Sequence, residues 1–341
     1  MWVTTSHPLT GKILRDRRFG VRVADGSYPG NGSLLPESFL ELDPPDHTRL
    51  RRLATPAFSP KKIDEYRARV EKVAGALLDR DEFDLIADFA APLPISVISD
   101  LLGVPDEDTA EFADYGALVA ASFDTGVTAE MADANDKVLA LFDRLIAQRR
   151  RTPGDDVISS LVAAEAEKKL TAQEMLGTLV LLLVAGFETT VNLIGNATRA
   201  LLDHPAQWQL FQAHPEIAPA VVEETLRWAS PVQLTSRVAH ERVDRIGEDE
   251  WVTLLIGAAN RDPEVYPEPH KFDVMRVHKP EHLAFSSGIH YCLGATLARM
   301  EGDVALRALA RRMPGLRQTG PATFRDSVVI RGLKSLPVSR F

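Results

Sequence analysis

One cysteine, Cys292, serves the whole 341-residue chain. An intramolecular disulfide is therefore excluded, and a single thiolate cannot by itself build a zinc or iron–sulfur site. No uninterrupted apolar run approaches the ~18 residues of a membrane span, and the opening MWVTTSHPLTGKILRDRRF lacks the basic, apolar and small-residue regions of a signal peptide. The reading is a cytoplasmic protein with no membrane partner. Cationic excess is also missing: the net charge is -9, which argues against a general affinity for nucleic acid. There is no fixed-period repeat, no low-complexity tract and no long Gly/Ser/Pro linker, so no domain boundary is advertised. What remains is 45% hydrophobic and 26% charged residues, an ordinary globular composition with enough apolar mass for a large core. We expect one domain spanning residues 1–341, mainly α with minor β sheets.

Residues 21–45 are rich in Gly, Pro, Ser and Asp and read as a long loop, more often functional than idle in a compact domain. A substrate lid is the reading for it. From DPPDHTRLRRL, residues 43–53, the pattern becomes helical, with Asp46 placed to cap and with His47 and Arg51 four apart on one face. Helical patterns dominate to about residue 229. Stretches around 235–239 and 251–259 (WVTLLIGAA) look extended, being β-branched or apolar and bounded by turn residues.

The strongest helix signal starts at Thr171, where TAQE offers a capping box from Thr171 to Glu174, and runs without proline to His204–Pro205. Its middle, LGTLVLLLVAGFETT at 176–190, is apolar on nearly all faces and predicts a central buried helix. Gly186 costs up to about 1 kcal/mol there, and Glu188 is expensive to bury unless paired or hydrated. Two readings stay open: a helix whose acid emerges at the surface, and a helix locally opened beside a cofactor.

Cys292 itself stands in AFSSGIHYCLGATLAR, residues 284–299. The order Phe285, Gly288, His290, Cys292, Gly294 suggests a turn whose glycines let backbone approach a flat object, with the thiol at a helix N-terminus that favours thiolate. A lone cysteine is more often an inert buried hydrophobe; its neighbours point the other way. FSSGIHYCLG resembles the haem-binding signature of the cytochromes P-450: Phe, two residues, Gly, one residue, His or Arg, one residue, Cys, one residue, Gly. One departure is Ser286, where the family often has glycine.

Further segments resemble the family in the same order. AGFETT at 185–190 is similar to the oxygen-activation motif of its central helix. EETLR at 223–227 carries the Glu-x-x-Arg pair as Glu224 and Arg227, which read as structural rather than catalytic. DPPDHTRLRR, PVQLTSRVA at 231–239, GAANRDP at 257–263 and RGLKSLPV at 331–338 also match, so the likeness covers nearly the whole chain. Two differences accompany it. The chain looks shortened at its N-terminus, and Lys271 in PHKF occupies a place often held by an arginine beside Glu224 and Arg227, which lysine cannot replace as a bidentate fork.

The resemblance implies a bacterial haem-thiolate monooxygenase. Its haem b would lie between the long central helix and the helix after the Cys loop, with Cys292 as the axial iron ligand. Phe285, Gly294 and Ala185 would contact the cofactor, and His47, Arg51, Arg237 and His290 would hold its propionates, since buried carboxylates need cationic or hydrogen-bonding partners. Glu188 and Thr189, an acid and a hydroxyl side by side, would relay the protons that O–O cleavage consumes. One atom of O2 would enter an apolar small molecule, and the other would leave as water. Electrons would come from NAD(P)H through a ferredoxin and its reductase, the chain having no flavin or pyridine-nucleotide motif. Arg49 and Arg52 are candidates to attract that acidic partner.

Substrate would be shaped by 21–45, by 109–135, by Leu182 and Ala185, and by Val232 to Thr235 and Val328 to Ile330. These positions are mostly apolar and name no particular substrate. The alternatives are a peroxide-dependent or oxidative-coupling haem enzyme, and a non-catalytic haem-binding protein.

Overall fold

The longest helix begins where its capping chemistry puts it. In the computed structural model, which describes residues 1–23, 36–125, 128–277 and 280–341, the Glu174 N–H donates to the Thr171 hydroxyl at 3.2 Å. The Thr171 N–H donates to the Glu174 carboxylate at 2.7 Å. Two donors that every helix start leaves without a partner are thereby satisfied.

In chain order the α-helices are α1 (His7–Arg15), α2 (Asp46–Ala54), α3 (Pro60–Leu77), α4 (Pro92–Leu102), α5 (Thr109–Thr125), α6 (Ala129–Arg151), α7 (Val157–Ala166), α8 (Ala172–Asp203), α9 (Pro205–Ala213), α10 (Ala218–Trp228), α11 (Ile256–Ala259) and α12 (Ala295–Arg312). The strands are β1 (Trp2–Thr4), β2 (Phe19–Gly20), β3 (Glu82–Asp84), β4 (Thr235–Ala239), β5 (Trp251–Leu254), β6 (Arg317–Gln318), β7 (Thr323–Phe324), β8 (Leu333–Ser335) and β9 (Pro337–Ser339). They form a four-stranded sheet in the order β1-β5-β4-β2, a three-stranded sheet β3-β9-β6 and a pair β7-β8. In the first sheet β1 runs parallel to β5 and β4 antiparallel to it, Arg237 facing Val252.

The architecture is mainly helical with minor sheets, as expected. Three local expectations change. Asp46 opens α2 without capping it: the N-cap is Pro45, and Asp46 pairs with Arg49 at 2.7 Å. The second extended stretch stops at Leu254, and Ile256–Ala259 turns into a helix. The central helix neither opens at Gly186 nor releases its acid, since α8 is continuous and Glu188 is 2% exposed. Leu179 to Val184 are all buried. At about 1.5–3 kcal/mol per buried large apolar side chain, that run far outweighs the cost of one interior glycine. This helix is long and apolar enough to cross a membrane, but 83% of its most apolar window is buried within the protein. That is the burial of a core helix.

The described residues gather into two compact units, Met1–Phe19, Ile63–Pro94 and Thr189–Phe341 in the first, Gly20–Lys62 and Ile95–Glu188 in the second. In the first, α1 lays Ile13 and Leu14 on the sheet residues Val252, Leu254 and Ala239 and on Leu283. Asp303 of α12 takes Arg67 of α3 at 3.2 Å and Arg307 at 2.7 Å, stapling those helices. In the second, the fully buried rings of Phe112 (α5) and Phe142 (α6) meet edge to face at 5.8 Å. The Asp156 carboxylate caps α7 through the Ser159 N–H and holds Arg149 of α6 at 2.5 Å. Residues 24–35, most of the stretch read as a lid, and residues 126–127 lie outside the described residues.

Candidate active site

In the first unit the chain from Phe285 to Gly294 closes on itself. The Cys292 N–H donates to the Phe285 carbonyl at 2.9 Å, the Tyr291 N–H to Gly288 at 3.1 Å and the Ser286 N–H to Leu283 at 2.8 Å. A single 3-10 turn, Gly288–His290, precedes the thiol, and α12 follows, with Gly294 at its N-cap. Cys292 is exposed and Phe285 buried.

Two positions in this loop adopt left-handed backbone. Gly288 has φ 71°, and a Cβ there would collide with the Leu14 carbonyl at the end of α1, so glycine is required twice over. Ser286 has φ 62°, a region in which an L-residue other than glycine is strained by roughly 1–2 kcal/mol. Its Oγ is buried without a hydrogen bond among the described residues. The departure from glycine noted in the sequence is thus a cost in conformation as well as in size.

Arg237 lies on β4 of the same unit, 5% exposed, its Nη1 donating to the Ser236 carbonyl at 2.7 Å and to the Thr235 hydroxyl at 3.3 Å. Phe285, His290, Cys292 and Gly294 therefore share one loop, and Arg237 is a buried cation in the same unit. In the second unit His47 is 2% exposed on α2, edge to face with Phe39 at 6.4 Å, and Arg51 stands one turn on, half-buried. Ala185 is exposed between buried Val184 and half-buried Gly186, and half-buried Thr189 follows buried Glu188 directly on α8.

Arg49 is engaged otherwise than expected. Its guanidinium reaches Glu174 at 2.6 Å, Asp46 at 2.7 Å and the Lys169 carbonyl at 2.9 Å. It ties α2 to the start of α8 within the second unit, which removes it from the candidates for attracting an acidic partner.

The Glu224–Arg227 pair is completely buried on α10 and meets as a fork, Nε to Oε2 and Nη2 to Oε1 both at 2.8 Å. Arg227 also donates to the carbonyls of Asn260, Pro269 and Lys271 at 2.9–3.1 Å. The third member of this network is Arg276, whose Nε lies 3.3 Å from Glu224 Oε1 and whose side chain is 9% exposed. Lys271 offers only its carbonyl here; its side chain is 52% exposed and its ammonium faces Asp273 and Glu268. The arginine missed at position 271 is supplied five residues later, so the weakening expected from lysine is corrected by Arg276.

Asn260 is a second node the motif reading left without a role. Its side chain accepts the Leu283 N–H at 2.7 Å and donates to Ser230 at 2.9 Å, anchoring the approach to the Cys loop. Asp262, in the same GAANRDP stretch, accepts the His7 N–H at 2.8 Å at the start of α1.

Residues 96–313 match the Cytochrome P450 family model. The chain belongs to the cytochrome P450 family. Among relatives it is 38% identical to the biotin biosynthesis cytochrome P450 of Bacillus subtilis, over 99% of this chain and 90% of the relative. It is 39% identical to the 6-deoxyerythronolide B hydroxylase of Saccharopolyspora erythraea, over 87% and 76%. Among solved structures it resembles P450BioI in complex with an acyl carrier protein carrying hexadec-9Z-enoic acid, with TM-score 0.91, 37% identity and coverage of 99% and 91%.

As a cytochrome P450 it is an oxidoreductase of the monooxygenase class that works with haem iron, O2 and a redox partner. The donors present fit that group. Among the described residues no cluster of three or more His, Cys, Asp or Glu could hold a bare ion. A lone soft thiol at a glycine-bounded helix start suits a metal whose other positions are filled by a macrocycle. The buried Arg237 guanidinium suits carboxylates carried on it.

Proposed function

We propose that residues 1–341 act as one cytoplasmic haem b domain that inserts one atom of O2 into an apolar small molecule, drawing electrons from NAD(P)H through a ferredoxin and its reductase. The observation that carries this reading is the Cys292 loop: the only thiol of the chain, its N–H fixed to the Phe285 carbonyl, two residues before the Gly294 N-cap. When bound there, haem supplies thiolate-ligated iron able to activate O2.

Each side chain then has a task. Cys292 ligates the metal, and Phe285 and Gly294 set the loop's shape on either side of it. Arg237, His290, His47 and Arg51 neutralise the propionates, buried carboxylates that would otherwise carry a large desolvation cost. Ala185 leaves room on α8 for the flat group. Glu188 and Thr189 pass protons from solvent, the buried acid acting as carrier and the half-buried hydroxyl as the last donor. Leu182, with Val232 to Thr235 and Val328 to Ile330, offers the mostly apolar surface that selects the substrate, and a relative named as the hydroxylase of 6-deoxyerythronolide B, with a neighbour bound to an acyl carrier protein carrying hexadec-9Z-enoic acid, supports a large, apolar molecule as its class.

The test is the absorption spectrum of purified protein, reduced under carbon monoxide, in wild type and Cys292→Ala. We expect the strongly red-shifted Soret band of thiolate-ligated haem in the wild type and its loss in the variant; a wild type that binds no haem would overturn the proposal. For the proton relay, Thr189→Ala should divert electrons from product to peroxide, and an unchanged ratio of the two sinks that role.

A further inference from the structure

The side chain that holds the Cys loop in place lies outside the loop and outside the roles assigned above. Arg299 stands on α12, seven residues after Cys292, and its guanidinium makes three kinds of contact at once. Its Nε and Nη2 grip the two oxygens of Glu223 at 2.6 and 3.2 Å. Its Nη1 donates to the Tyr291 hydroxyl at 3.1 Å. Its Cζ sits 4.5 Å from the centre of the Phe285 ring.

Phe285 opens the loop and Tyr291 stands just before its thiol. Phe285 provides the carbonyl that accepts the Cys292 N–H. One planar cation therefore fixes both flanks, by stacking on one side and hydrogen bonding on the other. The grip is anchored in turn. Glu223 precedes Glu224 on α10, a helix tied to the segment 260–276 through Glu224 and Arg227, and His282 Nε2 approaches Glu223 at 3.2 Å. Burial works against the charge on Glu223, but the His282 imidazole and the Arg299 guanidinium outweigh it and hold the carboxyl at about 2.

The loop needs such a clamp. It carries left-handed backbone at Ser286 and Gly288, and the bond from the Ala295 N–H to the Cys292 carbonyl is long, at 3.4 Å. A strained segment persists only where its surroundings over-determine it.

We propose that Arg299, oriented by Glu223, is the positioning residue of the thiolate loop: it holds the Phe285 and Tyr291 flanks so that Cys292 keeps the geometry of a metal ligand. This rests on the haem-thiolate reading for its chemical consequence and on the contacts alone for the clamp.

The experiment compares wild type, Arg299→Gln, Arg299→Lys, Glu223→Gln and Arg307→Gln. Arg307 serves as control because it lies on the same helix and loses an ion pair of 2.7 Å with Asp303 without touching the loop. Each holoprotein is titrated with urea, following the red-shifted ferrous–carbon monoxide band and the far-UV circular dichroism together. In parallel, hydrogen exchange is read at the Cys292 amide.

In Arg299→Gln the band should disappear well below the urea concentration that melts the helices, and the Cys292 amide should exchange roughly tenfold faster, as expected for loss of a cation–π and charge-assisted contact. Arg299→Lys should fall between, since lysine keeps the charge and loses the fork and the plane. In Arg307→Gln, band and helices should go together as in wild type. Arg299→Gln behaving like Arg307→Gln, with unchanged exchange, would overturn the inference. Should Arg299→Gln not fold, Glu223→Gln decides by the same two readouts: early loss of the band supports the clamp, and wild-type behaviour overturns it. A wild type lacking the band would instead sink the haem-thiolate reading, while the exchange rates still decide the clamp.

Discussion

Of the carboxylates buried in the first unit, Glu224 on α10 and Glu301 on α12 could hardly be treated more differently. Glu224 has no exposed side-chain surface, and its oxygens receive the fork of Arg227, the Asp273 N–H at 2.9 Å and Arg276. Glu301 is 2% exposed, its Oε2 makes no hydrogen bond among the described residues, and burial pushes its carboxyl up to about 8. Burial is the same; the partners differ. Glu224 is the hub of a network joining α10 to the segment 260–276. Glu301 is tolerated by holding on to its proton.

The largest effect should come from breaking the satisfied site. Arg227→Ala leaves Glu224 buried beside a void and takes a donor from the carbonyls of Asn260, Pro269 and Lys271, a change that costs about 3–5 kcal/mol in buried pairs. Thermal unfolding should show a loss of that size or failure to accumulate folded protein. A near-neutral result would place the two carboxylates in the same class and remove the contrast.

Glu301→Gln acts in the opposite direction. Below about pH 4.5 the acid is protonated in both folded and unfolded chains and costs nothing through ionisation. As pH rises from there towards 8, the unfolded chain gives up its proton while the folded one keeps it, so stability falls by about 1.4 kcal/mol per pH unit and levels off above 8. At pH 7 the deficit is on the order of 3 kcal/mol. The glutamine variant, which cannot ionise, should lack this slope: little different from wild type at pH 4 to 5, and more stable at pH 7 to 8. Denaturant melts at several pH values measure it, and parallel slopes would show that Glu301 has a partner after all.

How much of this was legible beforehand follows from the range of the interactions. The ends of α8 were legible because a capping box and a proline act within four residues, and the Cys loop because its glycines and thiol lie within ten. The pairing of Glu224 with Arg227 was legible as one helical turn. What was hidden are partners distant in sequence. Arg276 reaches Glu224 across 52 residues, Arg299 reaches Glu223 across 76, and Glu174 captures Arg49 across 125. No local pattern marks such pairs, and a surface arginine reads the same in sequence whether it waits for a partner protein or is already held. Glu188 stayed between two readings for a related reason: an acid amid apolar residues signals a conflict, but the helix periodicity cannot say whether its side chain ends buried, as it does.

Ser286 is the small-scale version of Glu301, a polar atom buried without a hydrogen bond, with the difference that its strain lies in the backbone. Glycine at this position would remove the left-handed penalty of roughly 1–2 kcal/mol, while its extra freedom in the unfolded chain takes back about 0.5–1 kcal/mol. Ser286→Gly should therefore stabilise the protein by about 1 kcal/mol or less, a rise of a few degrees at most for a chain of this size. Ser286→Val, β-branched and forced into the same φ, should lose more than that. The pair of melts separates two accounts of the residue. If glycine stabilises and valine destabilises, the loop carries strain that the clamp by Arg299 has to hold, and combining Ser286→Gly with Arg299→Gln should restore part of the lost thiolate band. If glycine destabilises instead, the serine hydroxyl contributes a contact worth more than the strain, and Ser286 moves to the satisfied side of the comparison beside Glu224.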